Sequence, residues 1–350
     1  MLNNIQNLRA LAAYAVVVYH CLIRFLHPTD PLGRSYLDLL SGGVDLFFII
    51  SGFVMVHTTR ADETPAWFVT KRIARIVPLY WLATLVVIVL VIVRPWTFSQ
   101  AMLTPEAILS SLFFVPHADA SGQAYPILGV GWTLNYEMMF YALFALSMVL
   151  HGAYRLVGLV VLITLVWALA SLSGDGLVAR FYANPILFEF AAGCLLAYAL
   201  RTDWLAAFVR RTPMWPFALL GLAGFALLPA IIPLGQPSIL RYVAPAFLLV
   251  FAAAAQDLYR RPAIETLATR LGDASYSAYV LHPIIIVIVA QVVIASLGEG
   301  LAAELVLMAA VLVATALVSL LSMRVFEKPA AAWLRGLAGR LRPVGGGQGH

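Results

Sequence analysis

The sequence predicts an all-α, polytopic integral membrane protein with about ten transmembrane helices and both termini in the cytoplasm. Three observations carry that expectation. Of the 350 residues 62% are hydrophobic and 11% charged, whereas roughly a quarter of a soluble domain is charged, and the mean hydropathy is +0.92. Apolar runs of about 20 residues, enough to cross a hydrocarbon layer of about 30 Å, recur along the chain, and each must be helical because lipid offers backbone groups no hydrogen-bond partner. Lysine and arginine are dense in every second connection and sparse in the others, the pattern that orients membrane proteins.

Hydropathy places the spans at residues 7–26, 40–58, 74–93, 131–150, 155–173, 183–200, 215–234, 240–257, 274–297 and 302–325. The one long connection, 94–130, contains "TPEAILSSLFF", a short amphipathic or re-entrant helix with Thr104 as N-cap and Pro105 at its first position. A cytoplasmic N-terminus puts Arg60, Lys71, Arg72, Arg75, Arg155, Arg201, Arg210, Arg211, Arg260, Arg261 and the basic tail inside, leaving Arg24, Arg34, Arg94, Arg180 and Arg241 near the outer side. No internal repeat is visible, so residues 1–330 are read as one membrane-embedded domain. Residues 331–350 are read as a basic cytoplasmic tail, first an amphipathic helix suited to anionic lipid and then a disordered Gly-rich stub. A cleaved leader is not expected, because Asn3, Asn4 and Asn7 stand where a basic segment would be. Cys21 and Cys194 lie in spans, where cysteine behaves as a small hydrophobe, so no disulfide framework is expected. The pI near 9.3 reflects topology rather than nucleic acid, since the basic residues are scattered between spans. No metal site is expected.

Ionisable side chains at membrane depth are costly and face a partner, a polar cavity or a substrate path. Arg9 and His20 stand 11 residues apart in the first span, three helical turns plus about 20°, so they share one face about 16 Å apart along the axis. Such a line suits a ligand with an anionic end at the cytoplasmic mouth and a reactive end inside; snorkelling of Arg9 and an interhelical bond from His20 would look the same. Asp45, in "SGGVDLFFIISGF", sits at a depth like that of His20 and either orients its imidazole or caps a helix. Arg72 and Arg75 share a face at the inner end of the third span, either as a phosphate-gripping pair or as ordinary cytoplasmic arginines. In "GWTLNYEMMFY", Trp132 and Tyr136 fit an interfacial belt, while Glu137 lies deeper and needs a partner or a proton. Glu189 is read as structural. "ASYSAYVLHP" gathers Ser275, Tyr276, Ser277, Tyr279 and His282 ahead of Pro283, a cluster that also suits hydrogen bonds between helices.

Taken in order, "LRALAAYAVVVYH", "GGVDLFFIISGFVM", "KRIARIVPLYW", "WTLNYEMMFY", "SYSAYVLHP" and "FEKP" resemble the membrane-bound acyltransferase 3 family, and most of all its branch that acetylates exopolysaccharides and surface glycans. The resemblance spans residues 5–329. It implies ten helices in the bacterial inner membrane, acetyl-CoA or another acyl-CoA as a cytoplasmic co-substrate with no permanently bound cofactor, and a polysaccharide or lipid-linked glycan acceptor. It further implies that His20 is catalytic; Asp45, from its depth beside His20, and Glu137, at a characteristic family position of unsettled role, are expected to assist it. Arg9, Arg72 and Arg75 would handle the donor, and Tyr136, Ser275, Tyr279 and His282 would contribute to substrate binding. No esterase-like extra domain of the kind some relatives append is visible, so acceptor choice is expected to rest with the membrane domain or a partner. Membrane lipid is the other expected partner, and the oligomeric state stays open. The competing expectation is a proton-coupled carrier or glycan exporter using His20, Asp45, Glu137 and His282 as a relay, although carriers often show internal repeats and broken helices. Label transfer from acetyl-CoA, as opposed to flux without turnover, separates the two.

Overall fold

A computed structural model describes residues 2–25, 37, 39–94, 97–98, 103–232, 238–260, 264–298 and 300–340. Among them the chain is helical, with no strand. The helices are α1 (Asn3–Phe25), α2 (Gly43–Thr58, entered through a 3₁₀ turn at Leu40–Gly42), α3 (Pro65–Val93), α4 (Pro105–Leu112) and α5 (Trp132–Ser147). There follow α6 (Ala153–Leu172), α7 (Leu177–Tyr182), α8 (Leu187–Ala199), α9 (Asp203–Arg211) and α10 (Trp215–Ile231). The last are α11 (Ser238–Tyr259), α12 (Leu267–Asp273), α13 (Ser275–Leu297), α14 (Leu301–Ser322) and α15 (Lys328–Arg340). The Gly-rich stub at 341–350 lies outside the described residues, as do Arg34, Arg261 and Arg342.

Seven of the described helical segments are long and apolar enough to cross a membrane, or eight when α9 and α10, bent by 92°, count as one span. Of the ten expected, α1 and α5 are not among them. The first half of α1 is polar, with Asn3, Asn4, Gln6, Asn7 and Arg9. The 16 residues of α5 rise about 24 Å, short of a hydrocarbon layer of about 30 Å. Both helices carry candidate site residues, and that polarity is what lowers the hydropathy of α1.

Caps and prolines set boundaries that hydropathy misses. α3 begins at Pro65, well before residue 74, because the Thr64 side chain accepts from Trp67 N and Pro65 takes the first helical position. The expected span 183–200 begins as helix only at Leu187, and the short α7 precedes it; between the two, the Asn184 side chain accepts from Ile186 N at 3.0 Å. α4 forms where expected, with Thr104 Oγ1 accepting from Ala107 N at 3.1 Å.

α1 packs on α2, α11, α12 and α13, so a helix bearing two of the candidate residues lies inside the bundle. Its N-terminal N–H groups are met by a neighbour: Asp257 of α11 accepts from Asn4 N at 3.1 Å, Asn4 Nδ2 at 2.7 Å and Ile5 N at 3.1 Å. A carboxylate there satisfies orphan donors and opposes the helix dipole. α2 and α8 make the most extensive helix pair. Their backbones meet at Gly52 and Gly193, where an added Cβ would lie 2.1 Å from Phe190 O and 2.0 Å from Ile49 O. Small residues permit that approach in a membrane bundle. At the C-terminal end, α14 passes through a π-helical turn, Met323–Glu327, into α15, which packs along α3 and leaves Trp333 exposed.

Candidate active site

An open cavity, about 780 Å³ counting the space that communicates with solvent, lies between α1, α2, α3, α5 and α13. Arg9, Arg72 and Arg75 line it with Glu137, so three guanidiniums face one carboxylate and the lining carries a net charge of +2. Apolar wall is supplied by Phe47, Phe48 and Ile50 of α2 and Leu134 of α5.

Among the described residues, two lining groups have no protein partner. Arg72 is buried; its Nη2 donates to Thr58 Oγ1 at 3.2 Å and its guanidinium lies over the rings of Phe68 and Tyr141, 5.1 and 5.9 Å from the centroids. Its Nε–H is buried and unpartnered, as is the hydroxyl of Ser275. Leaving a buried polar group unsatisfied costs about 1–3 kcal/mol, more when it is charged, so both are poised for an anionic or polar ligand. Arg9 is half-buried and held by Gln6 Oε1 at 3.0 Å. Glu137 accepts from Ser51 Oγ at 3.0 Å and from Tyr141 Oη, which ties α2 to α5 across the cavity wall.

Thr133 and Tyr279 also line the cavity. The Tyr279 hydroxyl is 2.9 Å from Thr133 Oγ1 and donates to Val130 O at 3.1 Å, and its ring meets Phe47 edge-on at 5.9 Å. Beyond it stands His282, 5.9 Å from Tyr279 ring to ring, fully buried and outside the lining. His282 Nε2 is 3.3 Å from His20 Nδ1, and that atom is 2.9 Å from Val16 O. The shared face of Arg9 and His20 therefore divides: Arg9 lines the cavity, whereas His20 pairs with His282 behind Tyr279.

Asp45 and Tyr136 are placed elsewhere. Asp45 is buried on α2 against Glu189 of α8, and the nearest recorded partner of the His20 ring on another helix is His282. Tyr136 is buried, stacked on Phe181, with its hydroxyl donating to Phe181 O; it braces α5 against α7. Ser51 and Tyr141 were not expected at the site. Tyr141 sits at i+4 from Glu137, a spacing that pairs side chains on a helix and was a legible signal. Ser51 carried no such mark beyond its place beside Gly52.

Fold and site together define a helical integral membrane protein that offers a cationic cavity to a ligand and sets a histidine pair next to Tyr279, one of the residues lining that cavity. Comparison with known proteins gives that class its family. The chain belongs to the acyltransferase 3 family, whose acyltransferase domain matches residues 2–324. It is 38% identical over 327 residues to the exopolysaccharide production protein ExoZ of Rhizobium meliloti (strain 1021), covering 90% of this chain and 98% of that protein. It is 26% identical over 316 residues to the acyltransferase MdmB of Streptomyces mycarofaciens, covering 81% and 79% of the two. Nodulation protein 10 of Rhizobium leguminosarum bv. viciae matches over 155 residues at 32% identity, 40% of this chain and 42% of that one. No solved structure matches. The protein is a membrane acyltransferase, and it requires an acyl donor as co-substrate.

Proposed function

We propose that the protein transfers an acetyl group from cytoplasmic acetyl-CoA to a hydroxyl of an exopolysaccharide or another cell-surface glycan. The observation that carries this reading is the cavity with its net charge of +2 and its two unpartnered groups, Arg72 Nε and Ser275 Oγ. A CoA thioester is polyanionic at one end and neutral at the other, and the site is complementary to it, with arginines for the phosphates and an apolar wall for the rest. Arg72 and Arg75, with Arg9 beside them, hold the phosphates through charge-assisted hydrogen bonds. The pantetheine arm runs along Phe47 and Leu134 to Tyr279, and the acyl end passes that ring to reach His20. The glycan branch follows from the likeness to a protein named for exopolysaccharide production.

In the transfer, His20 Nε2 takes the proton of the sugar hydroxyl while that oxygen attacks the thioester carbonyl. The C–S bond breaks, and the proton passes to the departing thiolate, so CoA leaves as the thiol. The alternative course has the same lone pair attack first, forming an acyl-imidazole that the sugar hydroxyl then cleaves. Both need a neutral ring with Nε2 unprotonated. Glu137 keeps Ser51 and Tyr141 in place and limits the positive charge of the wall. The topology that fits this chemistry is the ten-helix bundle in the bacterial inner membrane with both termini cytoplasmic, residues 1–330 as the catalytic domain and 331–350 as the basic tail. The test is label transfer from radioactive acetyl-CoA by the purified protein. His20→Ala is expected to abolish transfer while leaving the yield of membrane protein unchanged; transfer at the wild-type rate would remove His20 from the reaction.

A further inference from the structure

We infer that His282 is a positioning residue for His20: it accepts a hydrogen bond from the Nδ1–H of His20 and so keeps the His20 Nε2 lone pair available for acyl transfer. The inference rests on the assignment of His20 above, and it follows from which atoms surround the two rings.

Each Nδ1 faces carbonyl oxygen, which can only accept. His20 Nδ1 lies 2.9 Å from Val16 O, four residues back on α1. His282 Nδ1 lies 3.3 Å from Ala278 O, and the backbone of Tyr279 also acts on its ring electrostatically. The Tyr279 carbonyl is free for a local reason. Residue 283 is proline and has no N–H, so the helix bond it would have given to Tyr279 O is missing. The dipeptide His282–Pro283 thus leaves carbonyl oxygen, not N–H, on the Nδ1 side of the His282 ring. Both Nδ1 atoms therefore carry hydrogen.

A neutral imidazole has one N–H and one lone pair. With its proton on Nδ1, His282 presents the Nε2 lone pair to His20 Nδ1 at 3.3 Å, and the His20 N–H is shared between that lone pair and Val16 O. His20 Nε2 is left bare. His282 has no exposed surface, whereas His20 is only partly buried, so substrate can meet the outer ring and not the inner one. The arrangement repeats the logic of a carboxylate behind a catalytic histidine, with a neutral acceptor in the carboxylate's place. A neutral acceptor suits this depth, because a carboxylate would have to be stripped of water there.

Two amides separate this role from simple packing. In His282→Gln the side-chain oxygen can occupy the position of Nε2 and still accept from His20. In His282→Asn the side chain reaches only the position of Nδ1, so it can fill the carbonyl site but offers His20 no acceptor. His282→Leu offers neither. With purified full-length protein and radiolabelled acetyl-CoA, His282→Gln is expected to keep kcat within about 10-fold of wild type, while His282→Asn and His282→Leu lose about 100-fold or more. In all three the KM for acetyl-CoA should stay within about twofold, because the donor cavity is untouched. The inference is overturned if Asn works as well as Gln, or if KM rises in step with the loss. Wild-type protein labelled with ¹⁵N-histidine supplies an independent readout: both rings should show the Nδ1–H tautomer, and Nε2–H on either ring overturns the inference without any variant. His20→Ala run in parallel keeps the two assignments apart. If it turns over normally, the catalytic role of His20 fails; if it is dead while all three His282 variants are normal, only the positioning role fails.

Discussion

Replacing Arg72 by methionine removes the guanidinium whose Nε–H faces the cavity without a partner and fills its bed with an apolar chain. The surroundings tolerate that change. The guanidinium lies over Phe68 and Tyr141, rings that accept a thioether well. Thr58, which receives the Nη2 hydrogen bond, keeps its own bond to Val54 O at 2.7 Å. What is lost is a charge-assisted bond to donor phosphate, worth about 1.5–3 kcal/mol, or roughly 10- to 150-fold in affinity. The contact lies far from the reacting carbon and holds ground state and transition state alike, so the loss belongs in KM with kcat nearly unchanged. The assay is an acetyl-CoA titration of purified protein in nanodiscs, repeated with acetyl-pantetheine, which carries no phosphate. With acetyl-CoA the variant should show the elevated KM; with acetyl-pantetheine it should match wild type. An unchanged acetyl-CoA titration, or an equal defect with both donors, refutes phosphate binding at Arg72.

Glu137→Gln keeps an acceptor for Ser51 and Tyr141 but raises the charge of the lining from +2 to +3. The KM for acetyl-CoA should fall several-fold at low ionic strength and converge on wild type as salt is added, which a salt series of titrations measures. Asp257→Ala strips the N-terminus of α1 of its carboxylate and should cost about 1–2 kcal/mol, seen as a lower melting midpoint together with reduced turnover, since α1 carries Arg9 and His20. Gly193→Val would drive its side chain into Ile49 O and should prevent α2 and α8 from packing, so that the protein elutes as aggregate in size-exclusion chromatography. Gly129→Ala, with open space around the added Cβ, should elute and turn over normally.

The helical character of the chain was legible because lipid leaves the backbone no alternative, and α4 because Thr104 and Pro105 mark its start. Boundaries set by a neighbour or a local cap were not. The start of α3 is fixed by Thr64 and Pro65, which lie ahead of the apolar window, and the gap between α7 and α8 by Asn184 and Pro185 within one. Arg9, Arg72, Arg75 and Glu137 could each be singled out as costly at membrane depth, but their convergence on one cavity depends on three separate helices. Asp45 illustrates the limit: depth alone put it level with His20, whereas the register of α2 on α8, set by Gly52 and Gly193, turns it to Glu189. The partner that His20 does meet is 262 positions away, and no periodicity within either helix points to the other.

The central claim is that one acyl-CoA molecule spans the distance from the arginines to the histidine pair, and a structure of the protein bound to a non-hydrolysable acyl-CoA analogue tests it most directly. The account predicts phosphate oxygens within hydrogen-bond distance of Arg72 Nε, the arm running past Phe47 and Tyr279, and the acyl carbon about 3–3.5 Å from His20 Nε2 or separated from it by the acceptor hydroxyl alone. Phosphates seated away from Arg72 and Arg75, or an acyl group that ends on the near side of a closed Tyr279 with no path to His20, would contradict it.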